Sequence, residues 1–209
     1  MSDIEEKQHM LDIVLAQMQD RPQQRRSEER LRRALEVAQR LLCEGGPEAC
    51  SIPEVAKASD VPRAAIYRYF PDRPALLAAM SSASMEQLGQ SICAVLENAP
   101  DLPADQLVRT AIGATVQFYN AEPAAAALLF NGPFSRSDRA SHHRKSRLLV
   151  ETLRAGLSAE HSQETLALTL EIVFACLRYG YFRDGHVTAE IEAEANRAAL
   201  AFLASGDGQ

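Results

Sequence analysis

The chemistry that stands out in this sequence is a short run of aromatic and basic side chains between residues 62 and 73. The three aromatic residues of the first 74 positions all lie in Ile66-Tyr67-Arg68-Tyr69-Phe70, and arginines also stand at positions 63 and 73. Phenol hydroxyls and guanidinium groups donate hydrogen bonds to anions, and the planar guanidinium matches phosphate geometry. The run therefore indicates a surface for a phosphate-bearing partner.

The charge distribution separates this region from the rest of the chain. The 209 residues carry a formal net charge of -6, yet residues 21–74 hold eleven basic and eight acidic side chains, and ten of the basic ones are arginine. Residues 1–20 and 75–209 are both net acidic. A basic segment in an acidic protein is typical of a small phosphate-binding module on a larger body. The alternative is a basic segment that is only solvated.

Composition excludes several classes of protein. Glycine and proline number ten each, which excludes collagen-like and low-complexity chains. No apolar run approaches the roughly 18 residues of a membrane span, and the acidic first residues do not resemble a secretory signal. We therefore expect a cytoplasmic protein without membrane contact. The cysteines lack CxxC spacing, so buried, reduced thiols are expected rather than disulfides or a zinc site; they are Cys43, Cys50, Cys93 and Cys176.

The basic run follows two short predicted helices. Ser51 is expected to cap a helix over residues 52–58, and Ser59-Asp60-Val61 is expected to turn, with Asp60 in a left-handed conformation. Pro62 is expected to open a second helix that reaches about Tyr69. Two short helices joined by a three-residue turn predict a helix-turn-helix.

An amphipathic helix precedes this motif. Ser27 is a plausible N-cap for it, and Gly45-Gly46 is expected to end it. Together the three helices form a predicted unit over residues 26–74, and residues 1–25 form an extension of partly helical character. The extension has an apolar stripe at Leu11, Val14, Leu15 and Met18, which docks on its own chain or on a second copy, or is frayed.

Residues 75–209 are predicted to form a second, entirely helical body. Residues 166–182 are apolar around nearly the whole circumference of a helix, so both sides of that helix should be covered. In a chain of this size, a second copy of the protein covers the additional face most simply. The predicted fold is all-α, and helices are expected after Pro74 at about 74–97, 103–120, 122–130, 136–157, 162–183 and 188–204.

Residues 30–77 resemble the DNA-binding domain of tetracycline-repressor-like (TetR-family) transcriptional regulators. The resemblance rests on Ile66-Tyr67-x-Tyr69-Phe70 and the leucine-rich helix after it, and it extends back through Gly46 to Arg30. The chain departs from the family at Ser59-Asp60-Val61, where Ala-Gly-Val is usual. It also departs at Pro62, where a serine is usual, so any contact of Pro62 must be apolar.

The resemblance implies an N-terminal helix-turn-helix DNA-binding domain and a C-terminal ligand-binding and dimerisation domain. DNA contacts are expected from Ser51, Pro62, Arg63, Ala64, Ala65, Tyr67, Arg68, Tyr69 and Arg73. Arg63 is positioned to bond the O6 and N7 atoms of guanine, or alternatively a phosphate. Tyr67 and Tyr69 match positions that contact the DNA backbone, with a core tyrosine as the alternative, and Phe70 is assigned to the core.

The implied function is that of a ligand-responsive regulator, most simply a repressor. A homodimer held by the last two long helices would bind a palindromic double-stranded operator and leave it when a small-molecule effector binds. No cofactor or metal is expected. The candidate pocket residues are Phe118, Tyr119, Phe130, Phe134, His142, His143, Arg147 and Arg178.

No catalytic motif is recognisable, since the sequence has no GxSxG, HExxH, P-loop or GxGxxG. We therefore do not expect an enzyme. A helical enzyme and a helical interaction protein without DNA binding remain the two alternatives.

Overall fold

The computed structural model describes residues 11–16, 25–98, 102–130, 150 and 161–206, and the regular elements in these ranges are all helices, as predicted. The predicted helix at 136–157 lies outside the described residues except for Val150, which is helical and buried. The helices are α1 (11–16), α2 (Arg25–Ala49), α3 (Ile52–Ser59), α4 (Arg63–Tyr67), α5 (Arg73–Glu97), α6 (Ala104–Ala121), α7 (Pro123–Phe130), α8 (Gln163–Asp184) and α9 (Ala189–Gly206).

The chain divides into two compact units. The first contains residues 1–87 and 122–138, and the second contains residues 88–121 and 139–209. Helix α5 contributes residues to both units. The boundary predicted between residues 74 and 75 separates two domains by their expected functions rather than two compact units, and it stays a prediction.

The core of the first unit is built around α2. Leu31, Leu35 and Leu42 of α2 are almost completely buried, and α3 and α4 supply further apolar side chains to the same cluster. Leu11 and Val14 of α1 also belong to this cluster, as do two residues of α7. Burial of each such side chain contributes about 1.5–3 kcal/mol. The three-helix motif is therefore completed by helices from outside residues 26–74.

An ion pair accompanies the burial of α1. Arg32 on α2 donates from Nη2 to the Asp12 carboxylate at 2.6 Å. Among the alternatives for the N-terminal extension, residues 11–16 thus dock on their own chain. Met18, the last residue of the predicted stripe, lies outside the described residues.

One end of α2 follows the prediction and the other does not. Gly46 has a φ of 66°, so regular helix ends there as predicted, and one further helical turn follows before Cys50. At the other end, α2 begins at Arg25, and the prediction that Ser27 is its N-cap is wrong. The Ser27 hydroxyl bonds instead to the Tyr69 hydroxyl, an interaction that sequence spacing does not reveal.

In the second unit, α9 packs against both α8 and α6. Gly180 permits the close approach of α8 and α9, because a Cβ atom there would lie 2.9 Å from a methyl carbon of Ile191. The Asn120 side chain bonds both backbone groups of Val187, at 2.8 and 2.9 Å, and so fixes the loop before α9 to the end of α6. Gly185 ends α8 in a left-handed conformation, as its predicted role as a helix break requires.

Helix α8 is also long and apolar enough, by length and composition alone, to cross a membrane. Core helices of proteins outside membranes pass the same test. The side chains of Leu166, Val173 and Leu177 are buried within the second unit, and 33% of the apolar window is buried in all.

All four cysteines lie in the described residues, and each is a thiol outside any disulfide. The prediction of a buried thiol is confirmed for Cys50, where burial raises the pKa to about 11 although the nearby Arg73 guanidinium opposes the shift. It is wrong for Cys43, which is exposed, because its position on α2 faces away from the apolar stripe. In the described part of the chain, no group of three or more His, Cys, Asp or Glu residues is arranged to hold a metal ion.

Candidate nucleic-acid interface

The turn between α3 and α4 is built by local backbone chemistry. Ser51 caps α3 by accepting a hydrogen bond from the Glu54 amide at 3.3 Å, as predicted. Asp60 has a φ of 53° and a ψ of 35°, and its own amide bonds to the Ala56 carbonyl. The amide of Val61 bonds to the same carbonyl at 3.2 Å. This left-handed cap turns the chain within three residues and starts α4 in a new direction.

Helix α4 is shorter than predicted, since it ends at Tyr67 rather than near Tyr69. The amides of Tyr69 and Phe70 both bond to the Ile66 carbonyl, which closes the segment into a tight turn. Ile66 and Phe70 are each 1% exposed and hold the segment on the core. The assignment of Phe70 to the core is confirmed.

The outer face of α4 carries the side chains expected to contact DNA. Pro62, Arg63, Ala64 and Arg68 are exposed, and Ala65 is half-buried. Tyr67 is 45% exposed, so the alternative of a core tyrosine does not hold for this residue. These side chains form a small, mixed apolar and basic surface with a phenol at its centre.

Tyr69 is held more tightly than Tyr67. Its hydroxyl lies 2.9 Å from the Ser27 Oγ atom, and the Cζ atom of Arg68 lies 5.7 Å from the centroid of its ring. The ring is half-buried against the core of the first unit. Tyr69 therefore links the end of the α4 segment to the start of α2.

Arg73 has partners within the protein. It donates from Nη2 to the Pro47 carbonyl at 2.7 Å, and the same nitrogen lies 3.2 Å from a carboxylate oxygen of Glu48. Its Nε atom is buried and has no hydrogen-bond partner. The guanidinium thus ties the start of α5 to the end of α2, and a phosphate contact by Arg73 stays a prediction.

Asp72 contributes to the start of α5, a role that is not among the sequence expectations. Its carboxylate accepts a hydrogen bond from the Ala75 amide at 2.8 Å. Aspartate three residues before that amide is a common capping arrangement, so the signal was present in the sequence.

Comparison with known proteins identifies this architecture. Residues 34–80 match the family model described as "Bacterial regulatory proteins, tetR family". Residues 34–80 thus carry the sequence pattern of that family. Two uncharacterized HTH-type transcriptional regulators of Mycobacterium tuberculosis, MT1294 and Rv1255c, are each 34% identical over 103 residues. That match covers 49% of this chain and 50% of each relative, so the chain spans about half the length of the curated relatives it matches.

Solved structures of TetR-family regulators have the same fold over most of the chain. One from Streptomyces coelicolor superposes with a TM-score of 0.66 at 21% identity, covering 86% of this chain and 98% of that one. One from Rhodococcus sp. RHA1 has a TM-score of 0.63 at 19% identity, covering 87% and 98%. At these identities the likeness concerns the fold.

The predicted effector residues that the structure describes are divided between the two units. Phe118 and Tyr119 are buried in the second unit. The centroid of the Tyr119 ring lies 5.2 Å from that of Phe118 and 6.4 Å from that of Phe174. Burial raises the pKa of the Tyr119 phenol. Phe130 belongs to the first unit, and Arg178 is half-buried on α8. The remaining candidates lie outside the described residues; they are Phe134, His142, His143 and Arg147.

A cavity of about 40 Å³ lies instead among α5, α6, α8 and α9 of the second unit. The polar lining groups of the described residues are the hydroxyls of Thr115 and Thr169, and these bond to the carbonyls of Ala111 and Thr165 at 2.8 Å. The wall is therefore almost wholly apolar. Its described residues are Ile92, Val108, Ala111, Ile112, Thr115, Leu166, Thr169, Leu170, Val173, Phe174 and Leu203.

Proposed function

We propose that the chain is a DNA-binding transcriptional regulator that binds a palindromic operator as a homodimer in the cytoplasm. We propose further that it acts as a repressor and that a small-molecule effector releases it. The observation that carries the proposal is the outer face of α4, which follows a left-handed turn and exposes a guanidinium and a phenol beside small apolar groups.

The proposed DNA contacts follow from this face. A helix that enters the major groove presents its N-terminal residues to base edges. Arg63, the first residue of α4, would bond the O6 and N7 atoms of guanine, while Pro62 and Ala64 offer only apolar contact, as to a thymine methyl group. Tyr67 would donate its hydroxyl to a phosphate oxygen. Phosphate contacts supply most of the affinity and base contacts supply the specificity.

Two substitutions on α4 separate these roles. Arg63→Ala should reduce discrimination at one base pair by about 1–3 kcal/mol and leave preferences elsewhere unchanged. Tyr67→Phe should weaken binding to every duplex by roughly tenfold, because a hydrogen bond to a charged oxygen is lost. Both are measured by fluorescence anisotropy on duplexes selected from a randomised pool and on their single-base variants. An equal loss on all duplexes for Arg63→Ala would contradict its base-reading role.

The salt dependence of binding separates a regulator from an enzyme or a helical interaction protein. Each phosphate neutralised by Lys or Arg releases counterions, so the logarithm of affinity should fall steeply with the logarithm of salt concentration. A protein of either other class should have no such duplex affinity.

The dimer proposal rests on an apolar stripe along α8. Leu168 is 48% exposed, Tyr179 60% and Phe182 62%, and the half-buried Ile172 lies between them at helical spacing. Large apolar side chains at such spacing normally pack against another helix. We propose that α8 and α9 of two protomers cover each other's stripe in a symmetric four-helix interface.

The apolar cavity supports an uncharged, hydrocarbon-rich effector. An ionised ligand would lose its hydration there without gaining a charged partner from the described lining residues, which is strongly unfavourable. A neutral apolar molecule loses nothing comparable and gains contacts with the wall.

A matched pair of ligands tests this class of effector. Xenon, a neutral atom small enough for a cavity of this size, should raise the thermal unfolding midpoint and lower operator affinity, whereas iodide, the anion with the same number of electrons, should do neither at the same concentration. Ala111→Leu, which fills the cavity, should abolish the xenon response, provided that its circular dichroism spectrum is unchanged. A response to iodide that equals the response to xenon would contradict the proposed class.

A further inference from the structure

The Ser27–Tyr69 hydrogen bond joins two residues that are 42 positions apart, at the start of α2 and just after α4. The bond is partly buried, with the two oxygens 2.9 Å apart. The backbone at Tyr69 is fixed as well, because the Tyr69 amide bonds to the Ile66 carbonyl at 2.9 Å and the next residue, Phe70, is buried in the core. Both the ring and the hydroxyl of Tyr69 are thus held in place before any ligand binds.

A count of the hydroxyl hydrogens of Ser27 and Tyr69 shows how many hydrogen bonds the pair can still donate. Each hydroxyl has one hydrogen and two lone pairs, and the mutual bond uses one of the two hydrogens, whichever oxygen donates. One hydrogen therefore remains for an acceptor outside the pair. A hydroxyl that accepts one hydrogen bond also becomes a stronger donor of another.

The surroundings of the pair favour an anionic acceptor. The Arg68 guanidinium lies over the Tyr69 ring, at 5.7 Å from its centroid, and Arg26, which precedes Ser27, is exposed. Both cations lie beside the pair in the sequence, and in the proposed function this segment faces the phosphate backbone. The acceptor of fitting chemistry is a phosphate oxygen.

We propose that Ser27 is a positioning residue: its hydroxyl donates to the Tyr69 hydroxyl oxygen and so leaves the Tyr69 hydrogen directed to one phosphate oxygen of bound DNA. This inference rests on the proposed DNA-binding function and deepens it. Without Ser27 the phenol must be ordered during binding, at a cost that corresponds to about three- to tenfold in affinity for one side chain.

The test uses the full chain and an operator duplex selected by the wild-type protein from a randomised pool. Ser27→Ala should lower affinity about three- to tenfold, and Ser27→Thr, which keeps the hydroxyl, should restore most of it. Tyr69→Phe should also lower affinity, and Ser27→Ala should then cost nothing further. The slope of log affinity against log salt concentration should not change in Ser27→Ala, because no charge is lost. Arg68→Gln should reduce the steepness of this slope by the contribution of about one phosphate contact.

A purely structural role for Ser27 makes different predictions. It would lower the thermal unfolding midpoint, and the affinity loss would be the same with tyrosine or phenylalanine at position 69. That result, or a Ser27→Ala variant that binds like the wild type, overturns the inference while the wild type still binds the duplex. If the wild type binds no duplex at all, the proposed function fails and this inference fails with it.

Discussion

Tyr179→Glu combined with Phe182→Glu should convert the protein to a monomer and reduce operator affinity by about a hundredfold or more. Both side chains lie on the exposed apolar stripe of α8, at 60% and 62% exposure. A carboxylate placed at the centre of a closed interface loses its hydration without a partner. In a symmetric dimer each substitution is present twice at the interface, once from each protomer. Sedimentation velocity and anisotropy on a full palindrome measure the two effects.

The control for this variant is Ala94→Glu, which introduces one glutamate at an exposed position of α5 outside the proposed interface. It should remain dimeric and bind the operator normally. The monomeric variant should also retain weak binding to a half-site, comparable to that of the wild type on the same half-site. A Tyr179→Glu, Phe182→Glu variant that remains dimeric would contradict the assignment of α8 to the interface.

Phe70→Ala should destabilise the protein by about 3–5 kcal/mol, the usual range for removal of a buried phenylalanine. The side chain is 1% exposed and closes the core beneath the segment that follows α4. Its loss leaves a cavity that its neighbours, held by α2 and α3, cannot fill. Chemical denaturation followed by circular dichroism measures the change in the free energy of unfolding.

The matched comparison is Tyr67→Ala, three residues earlier on the exposed face. This substitution should change the free energy of unfolding by less than about 1 kcal/mol, within the range for surface positions, while operator affinity falls. Equal destabilisation by the two substitutions would mean that Tyr67 also packs in the core.

Features of this fold that depend on neighbouring residues were predictable from the sequence. The cap at Ser51, the left-handed Asp60 and the end of α8 at Gly185 each follow from the conformational preferences of one or two residues. The buried Phe70 follows from its apolar character at the end of a helix-spaced pattern. These features locate the helix-turn-helix and its outer face.

Features that depend on distant residues were not predictable in the same way. Ser27 is of a residue type that commonly forms the N-cap of a helix, and only the folded chain brings it to Tyr69. Arg73 looks like a free cation in the sequence, yet its guanidinium bonds the Pro47 carbonyl, 26 positions away. The lack of CxxC spacing predicts a buried thiol at Cys43, but the helical phase of α2 turns this residue outward.

The proposed effector pocket shows the same limit. Polar and aromatic residues are the sequence expectation for its lining, but the cavity of the second unit is lined mainly by aliphatic side chains, together with Phe174 and two threonines, and these look like ordinary core in the sequence. Nothing in an apolar helical stripe distinguishes a wall of a cavity from a filled core. That distinction depends on how side chains from four helices fit together.

The burial of Leu11 and Val14 of α1 and Leu128 of α7 in the core around α2 bears on the exchange of specificity between relatives. A hybrid in which only residues 26–74 were transplanted would place a foreign α2 against the recipient's versions of these helices. Mismatched side chains there would destabilise the core of the first unit, whichever bases α4 contacts in the proposed function. Recombination between the genes of such relatives should therefore preserve function best when α1 and α7 are transferred together with the helix-turn-helix.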